Sequence, residues 1–266
     1  MTSLRPIKSL GQVFLTHTKT ADAIVEALEL QPGETVLEIG PGKGILTRRL
    51  LQGGCKVIGV EIDSRLVELL RDTIGGVQNL TVLNEDILRF DMNQFSRIKI
   101  VGNLPFYIST EILIKLFKNP HVWDRAVLTT QRDFAERVLA KPGTKRYGLL
   151  AVMRSYRYLV RRLFNIPPTY FKPNPSVVST TFVLQKQQFP AIVVSDDKWF
   201  LKIIQAAFLP QRRKTVLNNI CSNLRLDKEI GVKVFSQINL NPNIRAEDMT
   251  LKQFGLLSDA LKPFCK

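Results

Sequence analysis

An α/β fold, a mostly parallel sheet followed by a small helical C-terminal domain, is predicted by three features of the chain. Short apolar runs rich in Val, Ile and Leu alternate with amphipathic segments through about residue 130, the pattern of buried strands covered by helices. Residues 36–44, Val-Leu-Glu-Ile-Gly-Pro-Gly-Lys-Gly, join one such run to a helix through glycines at alternate positions. After Lys186 the strand signals fade and helical segments take over, which predicts two domains, 1–186 and 187–266.

The N-terminal residues are a polar, basic arm with Arg5 and Lys8, leading into the short apolar anchor Gly11-Gln12-Val13-Phe14-Leu15. Thr18 or Thr20 can cap a helix running to about Leu30, with Ile24, Val25 and Leu28 on one face. The glycine turn then ends the first sheet strand, and its helix runs from about Ile45 to Leu51. Glycines there let the backbone take positive φ and let a ligand approach the main chain. The spacing Gly-x-Gly-x-Gly differs from the Gly-x-Gly-x-x-Gly that seats a pyrophosphate, so the turn predicts a nucleoside site. Lys56 to Ile62 is a second strand, and Ser64 to Ile74 its helix. Glu61 follows the glycines by about 20 residues, which places its carboxylate at the carboxyl end of the neighbouring strand, within reach of ribose hydroxyls. Leu80 to Leu83 is a third strand, ending in Asn84-Glu85-Asp86-Ile87. Asp86 thus shares the edge with Gly40 and Glu61, where it can accept a hydrogen bond from an adenine amino group or act as an ordinary strand-end cap.

Ile98 to Val101 is a fourth strand and leads into Gly102-Asn103-Leu104-Pro105-Phe106-Tyr107; Arg125 to Thr130 is a fifth, followed by a helix from about Asp133 to Leu139. A sixth strand within Tyr156 to Phe164 and a last within Val177 to Leu184, joined by the proline-rich loop Pro167 to Pro175, complete the sheet as an antiparallel hairpin. The C-terminal helices are expected at Trp199–Leu209, about Arg212–Leu224, Lys228–Phe235 and Leu251–Leu261.

The chain has 266 residues, with 38 Lys+Arg against 23 Asp+Glu and a formal net charge of +15. Such an excess attracts polyanions over a distance, so nucleic acid is the leading partner and a solvated basic surface the alternative. No apolar stretch approaches the roughly 18 residues of a membrane span, and no secretory signal is visible. Cys55, Cys221 and Cys265 are odd in number, far apart and not in metal-ligand spacing. Reduced thiols in a cytoplasmic setting, no metal, and surface positions for His17 and His121 are the expectations.

Asn103-Leu104-Pro105-Phe106 carries the predicted chemistry. Pro105 fixes its own φ and biases Leu104 away from helix, so the segment leaves its strand extended. The Asn103 side-chain carbonyl and a backbone carbonyl held by the proline form a pair of acceptors able to grip both hydrogens of an exocyclic amine. The Phe106 ring can stack on the base, worth about 1–3 kcal/mol. An adenine amine is a poor nucleophile because its lone pair is delocalised. Two acceptors pull it toward tetrahedral geometry and free that pair for in-line attack, so positioning supplies most of the catalysis. Asn-Leu-Pro is also ordinary turn chemistry; its place at the end of a strand in a nucleoside-binding sheet favours the catalytic reading.

Taken with Gly11–Leu15, Glu38–Gly44, Val60–Asp63, Asn84–Asp86, Gly102–Thr110, Phe171–Val177, Gln211–Lys214 and Arg245–Met249, these residues make the chain resemble the S-adenosylmethionine-dependent rRNA adenine N6-methyltransferases, specifically the adenine dimethylases. The resemblance implies a seven-stranded Rossmann-like methyltransferase sheet with a helical RNA-binding domain. It also implies a cofactor site made by the backbone at Val13 and Leu15, by Gly40 and Gly42, by Glu61 and Ile62 at the ribose, and by Asp86 and the Ile87 amide at the adenine. Asn103, Leu104, Pro105 and Phe106 would handle the target base, with Asn103 also facing the cofactor. One branch of the family dimethylates two adjacent adenines in the terminal hairpin of small-subunit rRNA during ribosome assembly; the other dimethylates one adenine of large-subunit rRNA. Gln211–Lys214 and Arg245–Met249 look like the first. Val13 in place of Asn, Phe106 in place of Tyr and the bulky Tyr107 depart from the family pattern, and Lys43 is more like the second branch. Arg154, Arg157, Arg161, Arg162, Arg212, Arg213 and Lys214 are the candidate phosphate contacts, and a monomer acting on rRNA within a small-subunit precursor is the expected assembly. The rival readings are a non-catalytic rRNA-binding assembly factor and a small-molecule methyltransferase, for which the charge has no use.

Overall fold

The computed structural model describes residues 4–7, 10–209 and 214–264. The chain packs as two units, 1–135 with 159–186, and 136–158 with 187–266. The first is built on a seven-stranded sheet. Its strands are β2 (Thr35–Ile39), β3 (Lys56–Glu61), β4 (Leu80–Asn84), β5 (Ile98–Asn103), β6 (Trp123–Gln131), β7 (Tyr158–Ile166) and β9 (Ser179–Lys186), in the order β4-β3-β2-β5-β6-β9-β7. β4, β3, β2, β5 and β6 pair parallel in turn, and β9 pairs antiparallel to β6. From β2 the chain first winds outward through β3 to β4, then returns to the other side of β2 as β5. The crevice beyond the carboxyl ends of β2 and β5 is therefore the switch point where α/β sheets bind ligands.

These strands read as unbroken apolar runs because both faces are covered. Val36, Val57, Val101, Val127 and Val183 share a buried cluster with Ala21 and Ile24 of the first helix, Leu28 in the turn after it, and Leu46 and Leu50 of the second helix. The helices concerned are α1 (Thr18–Glu26) and α2 (Ile45–Gln52), followed along the chain by α3 (Ser64–Ile74), α4 (Ser109–Lys118) and α5 (Arg132–Leu139). Asp63 caps α3 by accepting the Arg65 N–H. His17, expected at the surface, is the cap of α1: its Nδ1 accepts the Thr20 N–H, and its ring stacks on Tyr170 at 3.8 Å. Phe14–Leu15 (β1) and Phe171–Lys172 (β8) form a separate antiparallel pair, too short for any periodicity to announce.

The second unit is helical, with α6 (Leu149–Arg157), α7 (Asp197–Phe208), α8 (Val216–Leu224), α9 (Lys228–Gln237) and α10 (Leu251–Leu261). The expected division put residues 136–158 with the sheet; they pack with the helices instead. The cause is α6, which buries Leu150, Val152, Met153 and Tyr156 and sets the Tyr156 ring 4.6 Å from that of Phe200 on α7. Side chains of Asp196, Thr215, Asp227 and Thr250 cap the four later helices, the last in a reciprocal box with Gln253. Among the described residues no helix is long and apolar enough to cross a membrane.

Candidate active site

The glycine turn and Glu61 are locked together. Gly42 takes φ 58° and donates its N–H to Glu61 Oε2 at 3.1 Å, while Asp63 donates its own to Glu61 Oε1 at 3.1 Å. A Cβ at Gly42 would stand 3.0 Å from the Phe14 ring, so glycine both permits the turn and admits the N-terminal arm. Glu61 is only 6% exposed. Burial, with the Asp63 charge, pushes its carboxyl up, and the backbone N–H groups pull it back. Its position is fixed before any ligand arrives.

Asn103 ends β5, opposite Thr129 of β6 in the parallel register. Its Nδ2 donates to the Val13 carbonyl at 3.1 Å, and since that carbonyl only accepts, the amide orientation is settled. Oδ1 is then left buried with no partner. A buried acceptor without a donor costs about 1–3 kcal/mol, which marks the atom as reserved for a ligand. Around it, Leu104 N–H donates to the Thr129 carbonyl at 2.9 Å, Ser109 Oγ to the Pro105 carbonyl at 2.7 Å, and the Thr129 and Thr181 hydroxyls bond at 2.8 Å. The tetrapeptide is pinned on both sides.

Two adjoining cavities share Val13, Phe14, Gly40, Gly42 and Asn103. One continues over Gly11, Gln12, Glu61, Ile62, Leu66, Leu104, Pro105 and Tyr107. The other continues over Leu15, Glu38, Lys43, Thr129, Ile166 and Phe171. Of the sequence-predicted cofactor residues, Val13, Gly40, Gly42, Glu61, Ile62 and Asn103 therefore line the first cavity and Leu15 the second. Asp86 and Ile87 line neither: Asp86 Oδ1 accepts the Leu88 N–H at 2.9 Å, and Ile87 is buried. Burial raises the pKa of the Tyr107 hydroxyl, and the Asp86 and Glu61 charges raise it further. Phe106 begins a short 3-10 turn and also lines neither cavity; Tyr107, half exposed, lines the first cavity instead.

Two contributors escaped the sequence reading. Glu38 is 1% exposed on the wall of the second cavity, accepts the Thr47 hydroxyl at 2.7 Å, and is pushed up to about 7 by burial, the Glu61 charge adding to it. The signal was an acid near the end of an otherwise apolar run. Gln12 ties the arm down, its Nε2 donating to Asp63 Oδ2 at 2.8 Å and its Oε1 accepting the Ile7 N–H at 2.8 Å. Arg65 side-chain hydrogen bonds, with that of Gln12, hold Asp63 down at about 2.

The candidate phosphate contacts are divided between the two units. Arg161 and Arg162 are exposed on β7 and, being consecutive in a strand, point to opposite faces. Arg154 is half-buried, donates to the Ala140 carbonyl at 3.2 Å, and has its pKa lowered by burial. Arg157 pairs with Asp197 and lies over the Tyr156 ring at 5.1 Å, so both these arginines are engaged inside the helical unit. Lys214 is exposed; Arg212 and Arg213 lie outside the described residues.

The chain is similar to proteins named ribosomal RNA small subunit methyltransferase A from Streptococcus gordonii, at 39% identity over 96% of this chain and 91% of the relative, and from Bacillus cytotoxicus, at 37% over the same shares. Its fold is similar to that of a dimethyladenosine transferase from Plasmodium falciparum, with a TM-score of 0.73 and 26% identity over 92% of this chain and 95% of that one. It is also similar to that of the 23S rRNA methyltransferase ErmE, with a TM-score of 0.64 and 25% identity over 94% and 99%. Residues 5–261 match the model of the ribosomal RNA adenine dimethylase family. A buried, unpartnered acceptor stands at the switch point of the sheet, and the chain belongs to that family.

Proposed function

We propose that this protein dimethylates the N6 amines of two adjacent adenines in the 3′-terminal hairpin of small-subunit rRNA, acting as a cytoplasmic monomer on a small-subunit precursor. The chain is an rRNA adenine dimethyltransferase with S-adenosylmethionine as its methyl donor, which follows from its family. The small-subunit target is supported by the 37–39% identity to small-subunit methyltransferases, against 25% to the 23S enzyme.

The observation that carries the mechanism is the unpartnered Asn103 Oδ1. When bound, S-adenosylmethionine supplies an electrophilic methyl group. Glu61 would hold its ribose, Asp86 and the Ile87 amide its adenine, and Gly40, Gly42 and the backbone at Val13 and Leu15 the remainder. Asn103 Oδ1 and the Leu104 carbonyl would take the two hydrogens of the target amine, drawing its nitrogen toward tetrahedral geometry, with Phe106 or Tyr107 beside the base. Each transfer replaces one N–H by N–CH3 and releases one proton. The second round therefore finds one hydrogen for two acceptors, and the finished product offers none. The product thus lacks the hydrogen bonds that held the substrate amine and is bound more weakly than the substrate by about 1–3 kcal/mol. Incubation with labelled S-adenosylmethionine and, separately, small-subunit precursors and large-subunit rRNA tests the assignment. Label is expected as dimethyladenosine at neighbouring positions of the small-subunit RNA; label on large-subunit rRNA alone overturns it.

A further inference from the structure

Helix α4 makes two anchoring contacts about one and two-thirds turns apart. At its first residue, Ser109 Oγ donates to the Pro105 carbonyl at 2.7 Å. Six residues on, about 9 Å along the axis, Lys115 Nζ donates to the Leu88 carbonyl at 2.9 Å and to the Phe90 carbonyl at 2.5 Å. Those carbonyls belong to the turn that Asp86 organises from within. Asp86 Oδ1 accepts the Leu88 N–H, and its backbone carbonyl accepts the N–H groups of Arg89 and Phe90 at 2.8 and 2.9 Å. Lys115 is half-buried; desolvation lowers its pKa, while Asp86, Glu85 and Asp91 on the turn hold its charge. A partly buried ammonium that donates to two backbone carbonyls fixes their positions more firmly than a neutral contact would.

We propose that Lys115 is a positioning residue for the cofactor adenine. It braces the Asp86–Phe90 turn so that the Asp86 carboxylate meets the adenine amino group. Through α4 it sets the spacing between that carboxylate and the amine acceptor at Asn103. The proposal rests on the reading of Asp86 given above. A helix is the stiffest short spacer a chain can provide, and in-line transfer tolerates little error in the distance between donor and acceptor.

The test is base discrimination by the purified protein, read as the ratio of dissociation constants for S-inosylhomocysteine and S-adenosylhomocysteine. The inosyl compound carries an oxygen in place of the amino group, and a carboxylate repels it. The parent protein should prefer the adenosyl compound by tenfold or more. Asp86→Ala should abolish the preference, and Lys115→Met should reduce it at least threefold while the protein still melts cooperatively. A general loosening of the fold would weaken both ligands together and leave the ratio unmoved; that result in Lys115→Met, with the ratio lost in Asp86→Ala, overturns the proposal. A ratio unmoved in both variants removes Asp86 from the adenine site and the proposal with it. Should Lys115→Met fail to fold, Lys115→Gln carries the same test, since its amide can serve one carbonyl but not both, and an unchanged ratio there is equally fatal.

Discussion

Asn103 spends its two amide ends differently, Nδ2 on the Val13 carbonyl and Oδ1 on nothing within the protein. Asn103→Ala is therefore expected to lower turnover by about a hundredfold or more while cofactor and RNA affinities change by only a few fold, because the lost acceptor matters most as the amine turns tetrahedral. Equal losses in turnover and affinity would contradict that role. As the proposed ribose ligand, Glu61 would serve the ground state instead: removing its carboxylate in Glu61→Ala should weaken cofactor binding roughly ten- to a hundredfold, from about 1.5–3 kcal/mol of charged hydrogen bonding. Calorimetric titration with S-adenosylhomocysteine would measure it. Glu38 predicts a pH effect. Its carboxyl is raised from 4.5 to about 7, so the folded chain holds a proton that the unfolded chain has already lost. The stability it contributes is fully present below about pH 4.5 and is lost as pH rises through 7. Glu38→Gln stays neutral throughout. It should match the parent in urea unfolding at pH 4.5 and exceed it at pH 8 by an amount on the order of 3 kcal/mol; a gain that is the same at both pH values would refute the assignment.

At the level of elements, Gly102 decides where Asn103 sits. It pairs with Ile39 across β2 and β5, and a Cβ there would come 2.8 Å from the Ile39 carbonyl oxygen and 3.0 Å from its Cβ. Backbone cannot step aside as a side chain can, so Gly102→Ala should destabilise the fold by about 1–3 kcal/mol and displace the acceptor next to it. Thermal unfolding and turnover measured together would register both effects. The same strands show what sequence can reveal. β2 and β5 were readable because a strand covered on both faces is a continuous apolar run with a break, and the ends of those runs carried Gly40 and Asn103 to one edge. α4 went unnamed because Pro105 shortly before it reads as a breaker, although a proline there only delays the helix to Ser109. The apolar run opening α6 suits a strand or a helix equally, and the packing partner that decides, α7, is some 40 residues away along the chain. Glu38 hid inside its strand, and the absence of Asp86 and Phe106 from the cavity walls depends on turn conformations that spacing does not encode.

Across the whole molecule, charge outweighs every other surface property, at +15 in formal count. RNA binding through such a field releases counterions, so affinity for a small-subunit rRNA fragment should fall by orders of magnitude between roughly 50 and 200 mM salt, whereas S-adenosylhomocysteine binding should hardly move. Filter binding at a series of salt concentrations checks this, and a flat profile would remove nucleic acid as the partner. Replacing Arg161 by alanine should reduce the slope by about one if its guanidinium meets a phosphate; Arg157→Ala should instead lower stability, since its charge is already matched by Asp197.

The pairing of β1 with β8 bears on how the protein is made. Phe14 and Leu15 find their partners in Lys172 and Phe171, and the Thr16 hydroxyl meets the Tyr170 carbonyl 154 residues later in the chain. During synthesis the parallel strands β2 to β6 leave the ribosome and can assemble while the arm that must cover Asn103 still has nothing to pair with. The cofactor has a sheet edge to visit at that stage but no enclosed site. Only when residues 171 and 172 emerge can the wall close, so an rRNA-modifying enzyme would become competent late in its own translation.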